Sequence, residues 1–210
     1  MKIGTLTTGS VTTEFTLPYL PSVLHIPKPA NDLAAIRINS LGDGTLTDID
    51  TKGILAIGLN NKIGAKAADI VIPICQGLIG NRNTTISITN NGAQTPDVFV
   101  YSFQKSANFY IKNTTQKVFA NSGIEITDFS MACFPNMGAN DELNVTYRDG
   151  LVQKLTREDL RSIVSLGQEV NADENDYILS NVGQTISRVS FIPTADQSIY
   201  LQKYARRGNQ

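Results

Sequence analysis

The chain contains one histidine, His25, two cysteines, Cys75 and Cys133, and no tryptophan. Each shortage removes a class of chemistry. A cupin-type metal site needs several histidines converging on one ion, and a single imidazole cannot supply it. Two thiols make neither a disulfide framework nor a zinc site. Both cysteines lie in apolar, strand-like runs, where a thiol is buried and inert rather than polarised for attack. A nucleophilic pair of His25 with Cys75 or Cys133 is therefore disfavoured. No catalytic, cofactor-binding or metal-binding residue is assigned, and the chain is not expected to be an enzyme or to hold a cofactor.

Charge is scarce as well. Asp, Glu, Lys and Arg make up 18% of the residues and the formal net charge is −1. Without a basic excess, specific nucleic-acid binding is not expected. Lys203, Arg206 and Arg207 form a short basic tail that reads as solvated. No apolar run approaches the roughly 20 residues that span a bilayer. The opening MKIGTLTTGSVTTEF lacks the apolar core of a signal peptide, so synthesis in a reducing host cytoplasm is expected. Two oxygen-rich loops, GDGTLTDID with Asp43, Asp48 and Asp50 and NADEND with Asp173, Glu174 and Asp176, depart from EF-hand spacing and read as solvated turns. The glycines of CQGLIGNRN lack the Lys-Ser or Lys-Thr of a phosphate loop. Asn83, Asn113 and Asn144 stand in Asn-x-Thr sequons, which matter only in a secretory pathway.

What the chain does have is Asn, Thr and Ser among short β-type runs. LAAIRINSL, GILAIGL, DIVIPIC, TTISITN, DVFVYSFQ and NFYIKN are separated by Gly, Asn and Asp, which predicts an all-β sandwich or barrel. Residues 1–32, with Pro18, Pro21, Pro27 and Pro29, read as an extended N-terminal arm with one edge strand near Thr12 to Leu17. In the second half, Asp149-Gly150 between alternating segments predicts a hairpin. TREDLRSIVSLG behind it predicts one short helix, capped by Thr156, favoured by Glu158 and Asp159, buried through Leu160, Ile163 and Val164, and stopped at Gly167.

One pattern occurs twice. Thr85-Ile86-Ser87 returns 100 residues later as Thr185-Ile186-Ser187, each followed by a turn and an Asp-containing run that ends on Tyr101 and Tyr200. Both stretches read as closing hairpins, the first turned by the sequence Asn90-Asn91-Gly92. The recurrence predicts two fused β-sandwiches, residues 33–114 and 124–205, joined by a linker at 115–123 and followed by a tail at 206–210. A single sandwich is the alternative.

The segment ELNVTYRDGLVQKLTREDLRSI resembles the hairpin and helix of jelly-roll major capsid proteins from tailless, membrane-containing icosahedral bacteriophages of the corticovirus and tectivirus type. Val145, Tyr147, Asp149, Gly150, Leu151, Leu155, Thr156, Asp159 and Leu160 carry the likeness. The resemblance implies a compact double jelly roll, with a single jelly roll as alternative, working as a capsid structural protein in the virion. It further implies trimeric, pseudo-hexagonal capsomers in an icosahedral shell, with self-association and other virion proteins as partners. The arm would reach neighbouring subunits or an internal membrane. The first half lacks a clear counterpart of the Thr-x-x-Asp-Leu helix. The alternative function is a glycan- or receptor-binding module of a fibre or vertex protein, using tyrosines exposed at Tyr101, Tyr110 or Tyr147.

Overall fold

The computed structural model describes residues 1–27, 32–60, 69–75, 79, 82–102, 109–160, 178–181 and 183–206. The chain divides into two compact units, Met1–Thr114 with Tyr204–Gln210, and Thr115–Lys203. Unit 1 holds β1 (Lys2–Thr5), β2 (Val11–Leu17), β3 (Val23–Ile26), β4 (Leu33–Ser40), β5 (Gly44–Asp50), helix α1 (Thr51–Asn60), β6 (Ile70–Pro73), β7 (Thr84–Asn90) and β8 (Asp97–Tyr101). Strand β9 (Phe109–Val118) contains the division between the units. Then follow β10 (Ile124–Ile126), β11 (Met131–Cys133), β12 (Glu142–Tyr147), β13 (Val152–Thr156), β14 (Ile178–Ser180), β15 (Ile186–Phe191) and β16 (Gln197–Arg206).

In unit 1 one sheet has the order β1-β8-β3-β6 and the other contains β5-β4-β7-β2. In unit 2 the corresponding orders are β9-β16-β11-β14 and β13-β12-β15-β10. Numbering the strands of each unit from its first, both units read 1-8-3-6 in one sheet and 5-4-7-2 in the other. A helix follows the fifth strand in both: α1 after β5, and a helix that begins at residue 157 directly after β13.

The recurring Thr-Ile-Ser motif sits in the seventh strand of each unit. A strand shows alternate residues to opposite faces, so Ile86 and Ile186 point inward and are buried. Ser87 and Ser187 point outward, donating to Glu14 Oε1 (3.1 Å) and to the Thr146 carbonyl (2.9 Å). The two stretches are not hairpins, however. β7 and β8 lie in different sheets, as do β15 and β16, so the connection crosses from one sheet to the other. The Asn90-Asn91-Gly92 turn serves that crossing. Asn90 is buried, donates to the carbonyls of Thr7 (3.1 Å) and Gln94 (2.8 Å), and accepts from Gly92 N (3.0 Å). The tyrosines also part company. The offset from Tyr101 to Tyr200 is one residue shorter than that between the Thr-Ile-Ser motifs, and one residue reverses the face of a strand. Tyr101 is 45% exposed, whereas Tyr200 is fully buried.

Three expectations need correction. Residues 1–32 are not a free arm: β1, β2 and β3 pair with β8, β7 and both β6 and β8 respectively. Pro21 and Pro27 bracket β3 instead of breaking it, and Leu24 and Ile26 between them are fully buried. Among the described residues β2 is an edge strand, as its composition suggested. The run GILAIGL is not a strand but most of α1. Asp50 accepts from Gly53 N (3.1 Å) at the helix start, and Ile54 and Ile57, three residues apart, are buried on one side. The first half thus has the helix its sequence concealed. Residues 115–118, expected as linker, complete β9.

The helix after β13 opens as expected. Thr156 Oγ1 accepts from Asp159 N (3.3 Å), while the Asp159 carboxylate accepts from Thr156 N (2.8 Å) and Oγ1 (2.7 Å), a reciprocal cap. Leu160 is buried; Ile163, Val164 and Gly167 lie outside the described residues. The hairpin before it turns at Gly150, whose φ of 89° suits glycine best.

The core of unit 2 joins both its sheets. Leu143, Val145, Val189 and Phe191 from one pack with Ala132, Leu179 and Ile199 from the other, and Phe134 meets Phe191 edge-on at 5.4 Å. In unit 1, Ile86 and Ile88 of β7 are fully buried. Ile88→Ala should cost about 2–5 kcal/mol in a chemical denaturation series, because the rigid sheets on both sides limit collapse of the cavity. A second outcome concerns pH. The hydrogen bond from Thr156 N, then that from its hydroxyl, holds the Asp159 carboxyl below the usual carboxylate range. Its contribution is complete above the unfolded-state pKa, roughly 3.9, and is lost as pH falls through the lower folded value. Asp159→Ala should therefore lower the melting temperature at neutral pH, and circular-dichroism melts should show the gap closing in strong acid.

Candidate functional site

His25 lies on β3, between β8 and β6. Its Nε2 is 3.1 Å from Asp69 Oδ2, its Nδ1 is 3.5 Å from the Tyr101 hydroxyl, and Phe99 and Tyr101 flank the ring at 6.1 and 5.9 Å between centroids. The imidazole thus ties β3 to β8 through one phenol and to the residue just before β6 through one carboxylate. Cys75, buried in the same unit, donates to the carbonyl of Pro21 at 3.2 Å. Cys133 is fully buried on β11 of unit 2. The two thiols therefore sit in the cores of different units, and the fold gives each a packing position rather than an electropositive, accessible one.

The acidic loop of unit 1 is divided among structural tasks. Asp43 accepts from Ser40 Oγ (3.2 Å) and lies 3.9 Å from Arg82 Nε. Asp48 pairs across strands with Arg37 at 2.9 Å, and this hydrogen bond holds the guanidinium pKa above its usual range. Asp50 caps α1. Asp173, Glu174, Asp176 and Arg207 lie outside the described residues, as do Gly77 and Gly80. Among the described residues no three His, Cys, Asp or Glu side chains converge as metal ligands.

Of the sequon asparagines, Asn83 is exposed and Asn144 half-buried, but Asn113 is fully buried. Asn113 Nδ2 donates to Thr47 Oγ1 and to the Pro73 carbonyl, both at 3.2 Å. Of the three tyrosines expected at the surface, Tyr101 is exposed, while Tyr110 and Tyr147 are half-buried. Tyr147 donates to Gln153 Oε1 at 3.0 Å, and Lys112 Nζ lies 5.7 Å from the Tyr110 ring centre.

One polar centre was not visible in the sequence. Asp141 is 2% exposed and accepts from Gly138 N (2.8 Å), Thr194 N (3.0 Å) and Thr194 Oγ1 (2.8 Å). Gln197 Nε2 approaches at 3.5 Å. The carboxylate stitches the loop after β11 to the connection between β15 and β16, fixing one end of the sandwich. Two partners lie 53 and 56 residues away, a separation no local motif announces.

The described side chains thus go to caps, cross-strand pairs and loop staples. What remains available among the described residues is the outer edges of the sheets: β1 and β6 in one sheet of unit 1, β2 in its other, and β10, β13 and β14 in unit 2. A sheet edge presents backbone donors and acceptors to a further strand. Asp141→Ala should cost at least about 1–3 kcal/mol in urea titrations, since the amides of Gly138 and Thr194 lose their acceptor. Thr194→Val, which removes only the hydroxyl, should cost less.

Neither a family model nor a curated protein sequence matches the chain. Solved structures do. The major capsid protein of bacteriophage PM2, a corticovirus, has a TM-score of 0.64 at 15% identity, covering 100% of this chain and 99% of that one. The STIV major capsid protein also gives 0.64, at 10% identity, covering 97% and 94%. Identities this low speak for the fold. The chain has the all-β fold of viral jelly-roll major capsid proteins, among them that of the corticovirus type to which its hairpin and helix pointed.

Proposed function

We propose that the chain is a structural protein of a viral capsid, built as a compact double jelly roll and assembling as trimeric, pseudo-hexagonal capsomers. The observation that carries this reading is the strand order 1-8-3-6 and 5-4-7-2, present in both units with a helix after the fifth strand of each. Eight strands in two four-stranded sheets make one jelly roll, and two in a chain give each copy two similar bodies. Three copies then offer six, the number a pseudo-hexagonal ring requires.

The side-chain chemistry agrees. A shell protein needs rigid bodies, edges that neighbours can cover and little net charge, and it has no use for an activated nucleophile. The near-neutral composition and the use of His25, Asp48, Asp50 and Asp141 as structural ties suit that task. Its partners are further copies of itself and other virion proteins, and its place is the virion.

Mass photometry over a wide concentration range tests the reading. Particles of three times the 22.8 kDa chain mass are expected, with pseudo-hexagonal outlines in negative stain. Monomers alone at every concentration would overturn it.

A further inference from the structure

Within unit 1 the outer edge of β5 is covered. Thr47 and Asp48 pair in parallel with Asn113 and Thr114 of β9, and the buried Asn113 amide reinforces the joint through Thr47 Oγ1. Past Thr114, β9 continues as the first strand of unit 2. The fifth strand of unit 1 is thus paired by Asn113 and Thr114, the part of β9 that lies in the same unit.

The fifth strand of unit 2, β13, ends its sheet order, with β12 on one side and no strand on the other among the described residues. Val152, Gln153 and Lys154 on it are exposed, and the aliphatic Leu151 and Val152 are 61% and 59% exposed where the strand begins. The strand that opens a unit also has a free instance. β1, the counterpart of β9, pairs only with β8 among the described residues and is the other end of its sheet order. Among the described residues, one copy therefore carries an open acceptor edge at β13 and an open donor edge at β1, of the two strand types that already pair in β5 and β9.

We propose that β13 of one copy pairs in parallel with β1 of a second copy, repeating between chains the joint that β5 and β9 make within one. Counting back from the first helical residues, Thr51 and Arg157, the joint residues Thr47 and Asp48 correspond to Gln153 and Lys154. The occupant of the β13 edge is thus the Lys2–Thr5 strand of a neighbour. Adding a strand to an exposed edge gains main-chain hydrogen bonds and removes the edge as an aggregation hazard. The contact joins different surfaces of the two copies, so it is heterologous and must close into a ring to end. The inference rests on the trimeric capsid reading, in which three copies close that ring.

The test is cysteine crosslinking of the assembled full chain. Lys2 and Lys154 are exposed partners of surface ion pairs, so replacing them disturbs the fold little. The double variant Lys2→Cys/Lys154→Cys is oxidised with copper phenanthroline and run on denaturing gels. Lys2→Cys/Glu125→Cys, with Glu125 on β10 at the opposite edge of the β13 sheet, is the control. The parent chain, whose two cysteines are buried, sets the background. The expected result is at least tenfold more interchain product than the control, ending at linked trimers. Trimers by mass photometry without crosslinking above control would overturn the strand contact and leave the capsid reading standing. A crosslinked ladder continuing beyond three would overturn the closed ring, and uncrosslinked monomers throughout would overturn both.

Discussion

The seventh strand of each unit is the piece on which the rest is built. β7 is paired along its length by β2 on one side and β4 on the other, and β15 is held likewise by β10 and β12. Such a strand has its backbone groups paired on both edges and one face committed to the core. A slip of one residue would turn Ile86 and Ile88 outward and strand Thr85 and Ser87 in the interior. Its register therefore fixes the registers of its neighbours. Thr-Ile-Ser suits this strand in both halves for the same reason: the motif places a β-branched apolar residue inward between two outward hydroxyl residues.

Much of this was legible because strands write a period of two into the sequence. The alternation in TTISITN and LAAIRINS needs nothing beyond the pleat. GILAIGL was not legible as a helix because its apolar residues crowd together without a clear period. The deciding features were the Asp50 cap and the sheet surface available to Ile54 and Ile57. The first 32 residues misled for a related reason. Prolines forbid continuous pairing, but a four-residue strand such as VLHI fits between two of them once Leu24 and Ile26 have a core to enter.

The candidate site was less legible than the fold. Sequence can count nucleophiles and ligands, and the scarcity of both turned attention away from Cys75, Cys133 and the acidic loops. It could not show that Asp141 would be buried among amides from a distant loop, because that carboxylate acquires its partners only when two connections meet at one end of a sandwich. Nor could it show which edges stay open. Edge status belongs to strand order, and strand order appears only after every pairing has been made.

The parallel joint of β5 with β9 has a consequence for synthesis. Asn113 is fully buried against Thr47 and the Pro73 carbonyl, yet it comes more than twenty residues after β7 has completed the β4-β7-β2 arrangement. As the chain leaves the ribosome, the first sandwich can pair most of its strands while β5 still shows a bare edge. That edge is protected only when Asn113 and Thr114 emerge. A chain truncated near residue 105 would thus leave bare a strand edge that Asn113 and Thr114 cover in the full chain.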